Sequence, residues 1–434
     1  MRTSVMPRAA IGMSVLCIAS TRGARGLSAA SQPTVLPPIR EVTQRVAVAA
    51  EAFTFVTGVR QLRDGQVIVN DPGGRRLVLL DSSLHETRVL MDSVPAIYRT
   101  SGWPYDRQAG AIVAYRGDTT LFVDPIVRRV LVIDPSGTVV RSTTAPRPGD
   151  ALPIADDAAR VGLDGQGRLV YRSDGRAAPN RGSAPVSPAV ADAKAMSLLR
   201  TAPHDSLAIL RGEFATGLID TAGFIAVSEQ HEAPVRNGPS GPGWIERYPS
   251  PLPIVDAWAV TGDGSIAFVR GQDYHIDWVN PDGSHRSTPP IAHEWHRLSD
   301  SEKTSILDSS RHAADSVRRR MMAISTPPQL VILQATTVVW PDASELPEAM
   351  PALVEGVIVR ADADGNLWIQ QGGPPYASAD STSPLAFDVV NRNGMLSDRV
   401  QLPPGAALVG FGRGVVYLTS RGGAGMILAE YRVP

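Results

Sequence analysis

Short runs rich in Val, Ile, Leu and aromatic residues recur along the chain, each bounded by polar, glycine-containing segments. They read Gln66–Asp71, Thr120–Asp124, Arg168–Arg172, Ser265–Arg270, Asn366–Gln370 and Val415–Ser420. Such runs are too short for ordinary helices and suit a pleated, buried surface. A turn precedes each one: Asp64-Gly65, Gly117-Asp118, residues 165–167, Asp263-Gly264, Asp364-Gly365 and Arg413-Gly414. Glycine supplies the positive φ that tight hairpins need, so each turn joins two antiparallel strands.

A second turn follows about 19 residues later in three of the units, as from Gly264 to Gly283. Between the two turns lie two strands, for example Gln66–Asp71 and Leu77–Asp81, or Thr120–Asp124 and Val130–Asp134. The repeating unit is therefore four antiparallel strands with tight turns after the first and third. That unit is a propeller blade, whose faces are buried only by its neighbours.

The first turns lie about 50 residues apart in three intervals and about twice that in two. One long interval contains Arg176–Lys194, rich in Ala, Pro and Ser. The other contains Ser299–Ala323, which reads as a helix: Ser299 and Glu302 have capping-box spacing, and Ile306, Ala313, Val317 and Met321 fall on one face. Insertions account for both intervals and leave six blades, with seven as the alternative. The last unit ends on a third strand, Ile427–Val433, and Val42–Val48 is a strand without a unit. The prediction is an all-β, six-bladed β-propeller of four-stranded antiparallel blades over residues 40–434. It is closed by the N-terminal strand and carries a short helical insertion (about 299–323) between blades four and five.

The stretches Asp64–Asp71 with Arg76–Asp81, Phe122–Asp124 with Arg129–Gly137, and Ala363–Trp368 resemble NHL-type six-bladed propeller units. Over residues 40–434 the chain is similar to uncharacterised six-bladed propeller proteins exported by bacteria. The resemblance implies a fold rather than a chemistry, because such scaffolds host many functions.

Composition refines this picture. The chain has 434 residues, a net charge of −1, 39 glycines and 36 prolines. Near-neutral charge argues against a nucleic-acid groove, which needs a concentrated basic stripe. Arg2 and Arg8 precede and flank the apolar run Ala9–Ser20, and small residues follow at Ser28–Ser31. This pattern predicts a signal peptide and disordered N-terminus over residues 1–31, with cleavage between about Ser20 and Ser31, and an extracytoplasmic product, periplasmic or secreted; a frayed, unprocessed N-terminus is the alternative. The run is shorter than the roughly 20 residues needed to span a bilayer. Cys17, the single cysteine, sits inside it after Leu16, whereas lipoprotein acylation calls for a small residue there. Removal of the signal leaves no cysteine for disulfides, thiolate metal sites or nucleophilic catalysis.

Blade geometry puts the turns after strands one and three on one rim and the loops after strands two and four on the other. The elaborations at 176–194, 230–253, 289–351 and 372–384 all fall on the second rim, which makes it the expected binding face. Candidate ligand residues near it are Asp71, Arg75, Tyr105, Asp106, Asp124, Arg128, Arg172, Arg270, Tyr274, His275, Gln370 and Arg421. Arginines, amides and aromatics of this kind suit an anionic or sugar-like ligand. The repeated pairs Asp71/Arg76 and Asp124/Arg129 also read as a structural clasp within each blade.

Asp157 and Asp256 each lie eight residues before a first-turn glycine, so both are candidates for a calcium site at the channel. Propeller lactonases hold calcium in such a place, although Thr57, Val357 and Ala406 occupy the matching positions here. His293-Glu-Trp-His296 has its histidines three apart, which is wrong for a helical zinc motif. Gly238–Pro242 lacks a nucleophile elbow's final glycine, and Gly410–Gly414 lacks dinucleotide-loop spacing. The function expected is a non-catalytic exported binding module offering a loop-rich face to a small ligand or protein partner. A metal-dependent hydrolase or lactonase with a channel calcium is the alternative.

Overall fold

The runs identified above become the second strands of six sheets arranged in a ring. The structure, a computed structural model, describes residues 36–92, 96–98, 107–124, 128–156, 159–173, 206–228, 231–233, 237–238, 241–242, 244–247, 250–325, 336–371 and 383–434. Leu36–Pro434 form one compact unit. Blade one consists of Gly58–Gln61, Val67–Asp71, Arg76–Leu80 and Glu86–Met91. The next three blades begin with Ala111–Ala114, Gly162–Leu163 and Ala257–Val260, and each is a four-stranded antiparallel meander. Blade five begins with Val359–Ala361 and blade six with Ala407–Gly412. The ring is a six-bladed β-propeller, as the repeat predicts.

Burial changes systematically from the first strand of a blade to the last. Second strands such as Val67–Asp71 and Thr120–Asp124 are buried along their whole length, because neighbouring blades cover both faces. Fourth strands such as Val139–Thr143 and His285–Ser287 are almost wholly exposed. The core is a set of interfaces between blades. One cluster joins Leu62, Ile68 and Leu77 of blade one to Ile112, Phe122 and Ile133 of blade two. Another joins Tyr274 and Trp278 of blade four to Val359, Leu367 and Ile369 of blade five.

The tight turns share one hydrogen-bond template. In Asp164–Arg168 the amide of Gly167 donates to the Asp164 carbonyl at 2.8 Å, and the Asp164 carboxylate accepts from Gln166 N and Arg168 N at 2.9 Å. Asp362–Asn366 and Asn391–Met395 repeat it. The fourth position needs φ near +80°, as at Gly167 and Gly365, which suits glycine. Blade one departs from the rule: Leu84 takes that position at φ 64° and buries its side chain in the core.

Ring closure is double. Strand β1 (Ile39–Glu41) adds to the outer edge of blade five, parallel to Leu396–Gln401. Strand β2 (Arg45–Val48) completes blade six, antiparallel to Gly425–Arg432. The second closure matches the sequence reading; the first, an extra fifth strand, carries no repeat signature. Val42 between them is buried, and Arg40 pairs with Asp398.

The elaborated connections form small structures of their own. Trp244–Arg247, from the long connection after blade three, pairs in parallel with Thr336–Val339, from the connection after blade four. A short helix, α1 (Ala151–Asp156), precedes blade three. Helix α2 (Asp300–Ile324) starts at Ser299 with a complete capping box to Glu302. Its packing face differs from the expected one. Lys303, Leu307 and Ser310 are buried, Leu307 being apolar and Lys303 donating to the Leu346 carbonyl at 3.3 Å, whereas Val317 is 54% exposed. The short segment around Leu346 decides the buried face, and the apolar spacing alone does not reveal it. Among the described residues, no helix is long and apolar enough to cross a membrane.

Removing residues 1–48 strips β1 and β2 and leaves the edge of Gly425–Arg432 unpaired. Exposed edges template self-association. The truncated chain is expected to melt at lower temperature and to associate with rising concentration, read by light scattering. A truncated chain as stable and monodisperse as the full one would show that closure contributes little.

Candidate functional site

The first strands of the blades line a central channel containing a cavity of about 810 Å³. This volume lies within the range of small-molecule pockets, roughly 300–1,000 Å³. Its walls mix apolar side chains, among them Val59, Ile112, Val161, Val260, Val409 and Phe411, with polar groups such as Thr57, Gln61 and Thr261. Three arginines lie among them, Arg60 and Arg63 from blade one and Arg360 from blade five; Arg63 is largely exposed, its Nε 3.7 Å from Asp118 Oδ1.

Arg60 is held by its neighbour. Its guanidinium donates to the carbonyls of Gly117 at 3.1 Å and Asp118 at 3.4 Å, and to Thr119 O and Thr120 Oγ1, in the first hairpin of blade two. Burial lowers its pKa to about 10, with the Asp118 charge opposing. Arg360 is different. Its Nε is shielded from solvent and meets no acceptor, although the side chain keeps partial access to the cavity. Desolvation lowers its pKa to about 10, and the positive charge of Arg160 acts in the same direction. Arg160, just before blade three, reaches across to blade five and donates to the Val357 carbonyl at 2.6 Å. The carboxylate of Asp362, the acid among the described cavity-lining residues, already accepts from Asp364 N, Asn366 N, Asn366 Nδ2 and Trp368 Nε1. The channel thus presents positive charge in a wall of mixed polarity.

The residues singled out from the sequence fall mainly outside the cavity lining. Asp71 accepts from Phe55 N and Gly74 N at 2.9 Å and lies 3.5 Å from Arg76 Nε, which makes it a clasp. Asp124 is buried opposite Arg129 in the matching register. Arg75, Arg128 and Tyr274 occupy the same left-handed position just before a third strand, with φ between 50° and 56°. Arg270 bridges Asp256 at 2.7 Å and Asp277 at 2.8 Å, while His275 lies between Asp273 and Asp277. Gln370 bonds the backbone of Ile358, and Arg421 is exposed on the last hairpin of blade six. Arg172 has its Nε buried and acts electrostatically on Glu355. Tyr105, Asp106 and Asp157 lie outside the described residues.

Asp256 does open an inner strand, but its carboxylate is engaged. Its oxygens accept from Ala226 N and Gly271 N at 3.0 Å besides pairing with Arg270. It ties blade three to blade four. Among the described residues no group of three or more His, Cys, Asp or Glu is placed to hold a metal ion.

Sequence reasoning passed over Arg60 and Arg360, yet a signal for both exists. Each lies five residues before its first-turn glycine, Gly65 and Gly365, and Ile112, Gly162 and Val409 hold that register in other blades. The register eight residues back, which picked out Asp256, finds the residue just before the strand Ala257–Val260 rather than its channel-lining middle.

No protein-family model matches the chain, and no curated protein matches it. Several solved structures are similar to it. A putative exported protein from Bacteroides fragilis is 9% identical, with a TM-score of 0.40, over 90% of this chain and 94% of that one. Regucalcin, a calcium-binding protein from Agrobacterium tumefaciens, is 11% identical, with a TM-score of 0.38, over 92% and 98%. Virginiamycin B lyase from Staphylococcus aureus is 11% identical, with a TM-score of 0.35, over 90% and 99%. These neighbours include enzymes and an uncharacterised exported protein, and they assign no activity to this chain.

Tyr274 leads to a second buried polar group. Its hydroxyl donates to Asp388 Oδ2 at 3.1 Å, and Arg399 Nε lies 3.6 Å from Oδ1. Burial raises the Asp388 carboxyl to about 6, against the opposing effects of Tyr274 and Arg399. The folded state therefore holds this proton more tightly than the unfolded chain does. Stability falls as pH rises from about 4 to about 6, and the loss is complete above that window. Asp388→Asn keeps an acceptor for Tyr274 and removes the titration. Its stability relative to wild type is expected to improve between pH 4 and pH 7 by about 1–3 kcal/mol, read from denaturant unfolding. A pH-independent difference would exclude this assignment.

Proposed function

We propose that the protein is an exported, non-catalytic binding module that takes a small ligand into the central channel of its propeller. The observation that carries this reading is the cavity of about 810 Å³ into which Arg360 projects without a described acceptor. A ring of inter-blade packing supplies a preformed site that combines apolar side chains with fixed polar groups, as ligand pockets do. The elaborated rim adds a second contact surface, where the connections after blades three and four are joined through Trp244–Arg247 and Thr336–Val339. The export part of the proposal rests on Arg2, Arg8 and the apolar run Ala9–Ser20.

A blocked channel tests this directly. Ala114 lines the cavity from an exposed position, so Ala114→Trp narrows the channel with little cost to the core. Wild type incubated with a mixture of small metabolites should retain a compound, detected by native mass spectrometry, and release it chemically unchanged. Ala114→Trp should lose it. Retention by the blocked variant, or release of an altered compound, would overturn the proposal.

The hydrolase alternative would draw on a calcium ion held by Asp157 and Asp256. Because Asp256 is already paired with Arg270, thermal unfolding in excess calcium and in chelator is expected to coincide. Saturation at 100 times the dissociation constant would contribute about 2.7 kcal/mol. A calcium-dependent rise abolished by Asp256→Asn would restore that alternative.

A further inference from the structure

The most unusual side chain in the channel is Arg360. It stands in the middle of a first strand, half-buried with its Nε shielded from solvent, and makes no hydrogen bond or ion pair with a described residue. A shielded cation without a partner is costly, and folded proteins ordinarily pair such groups. Backbone carbonyls satisfy two nearby arginines at least in part, Arg60 on residues 117–119 and Arg160 on Val357, and Arg63 lies largely exposed beside Asp118. Arg360 lines the cavity with no described partner.

The surroundings narrow what could answer it. Val59, Ile112, Val161, Val409 and Phe411 put apolar side chains on the adjoining wall. A bare phosphate or sulfate would leave those apolar side chains facing water. A neutral apolar molecule would leave the cation unpaired. A planar carboxylate meets a guanidinium with two parallel charge-assisted hydrogen bonds, and an attached hydrocarbon body would cover the wall.

We propose that the channel is an organic-acid site, in which Arg360 receives the carboxylate of a small monoanionic ligand whose apolar body lies against Val59, Ile112, Val161, Val409 and Phe411. This rests on the binding-module reading and adds the chemical class of the ligand. Pairing removes the energetic penalty that Arg360 carries without a partner, so affinity follows from the removal of that penalty as well as from apolar contact. Selectivity over neutral isosteres follows from the same source.

The experiment is calorimetric titration of the full chain with phenylacetate and hexanoate, beside phenylacetamide, hexanamide and inorganic phosphate. At least one acid should bind ten or more times as tightly as its amide, and Arg360→Met should remove that preference while leaving amide binding unchanged. The proposal is overturned by equal binding of acid and amide, by an acid preference that survives in Arg360→Met, by binding of phosphate alone, or by no acid binding up to about 10 mM. Should Arg360→Met not fold, the acid-to-amide ratio in wild type still decides, and Arg360→Lys should weaken the acid by losing the bidentate fork. A neutral compound excluded by Ala114→Trp but indifferent to Arg360→Met would leave the binding module standing and remove the organic-acid assignment. Loss of every channel ligand would remove both.

Discussion

The structure depends on closure of a ring whose parts cannot stand alone. No blade owns a core: the buried clusters run from one blade to the next, and second strands are covered on both faces only because neighbours exist. Each interface therefore presupposes the whole circle, and the circle presupposes β2 on the edge of Gly425–Arg432. A ring held this way has little freedom to open between blades, so its channel has a fixed bore. Any molecule entering such a channel would meet a preformed wall rather than one that closes around it.

That fixed bore explains how an arginine can remain unpaired. In a deformable site Arg360 would swing to solvent or draw in a carboxylate from a neighbouring loop. Here it stands on an inner strand, and the charge that acts on it is another arginine, Arg160. The Asp362 carboxylate is turned into its own hairpin. The same turn chemistry that makes the blades regular thus removes acids from the channel wall and leaves its electrostatics positive.

Much of the architecture was legible because it repeats. Turn positions such as Gly65, Gly264 and Gly365 mark the strand boundaries to within a residue or two, and Ser299 with Glu302 marks the start of α2. Closure of blade six was visible as a missing fourth strand with a spare one upstream. The fifth strand β1 was not visible, since pairing on an outer edge demands no pattern from a three-residue segment. The site was less legible for a related reason. Asp71, Asp256 and Arg270 look chemically active as residue types, but their groups are consumed by backbone amides and by one another. Arg360 looks ordinary in the sequence. Only the arrangement in space shows that nothing described pairs with it.

The double closure also has a temporal meaning. Blade six is assembled from Arg45–Val48 and from Ala407–Arg432, segments at opposite ends of the propeller sequence. During synthesis the early strand has to wait, unpaired, while every other blade emerges. The channel has no continuous wall until the final hairpin is in place. A chain built in this order stays unfinished until late. Its ligand-sized cavity comes into existence in the last step of folding.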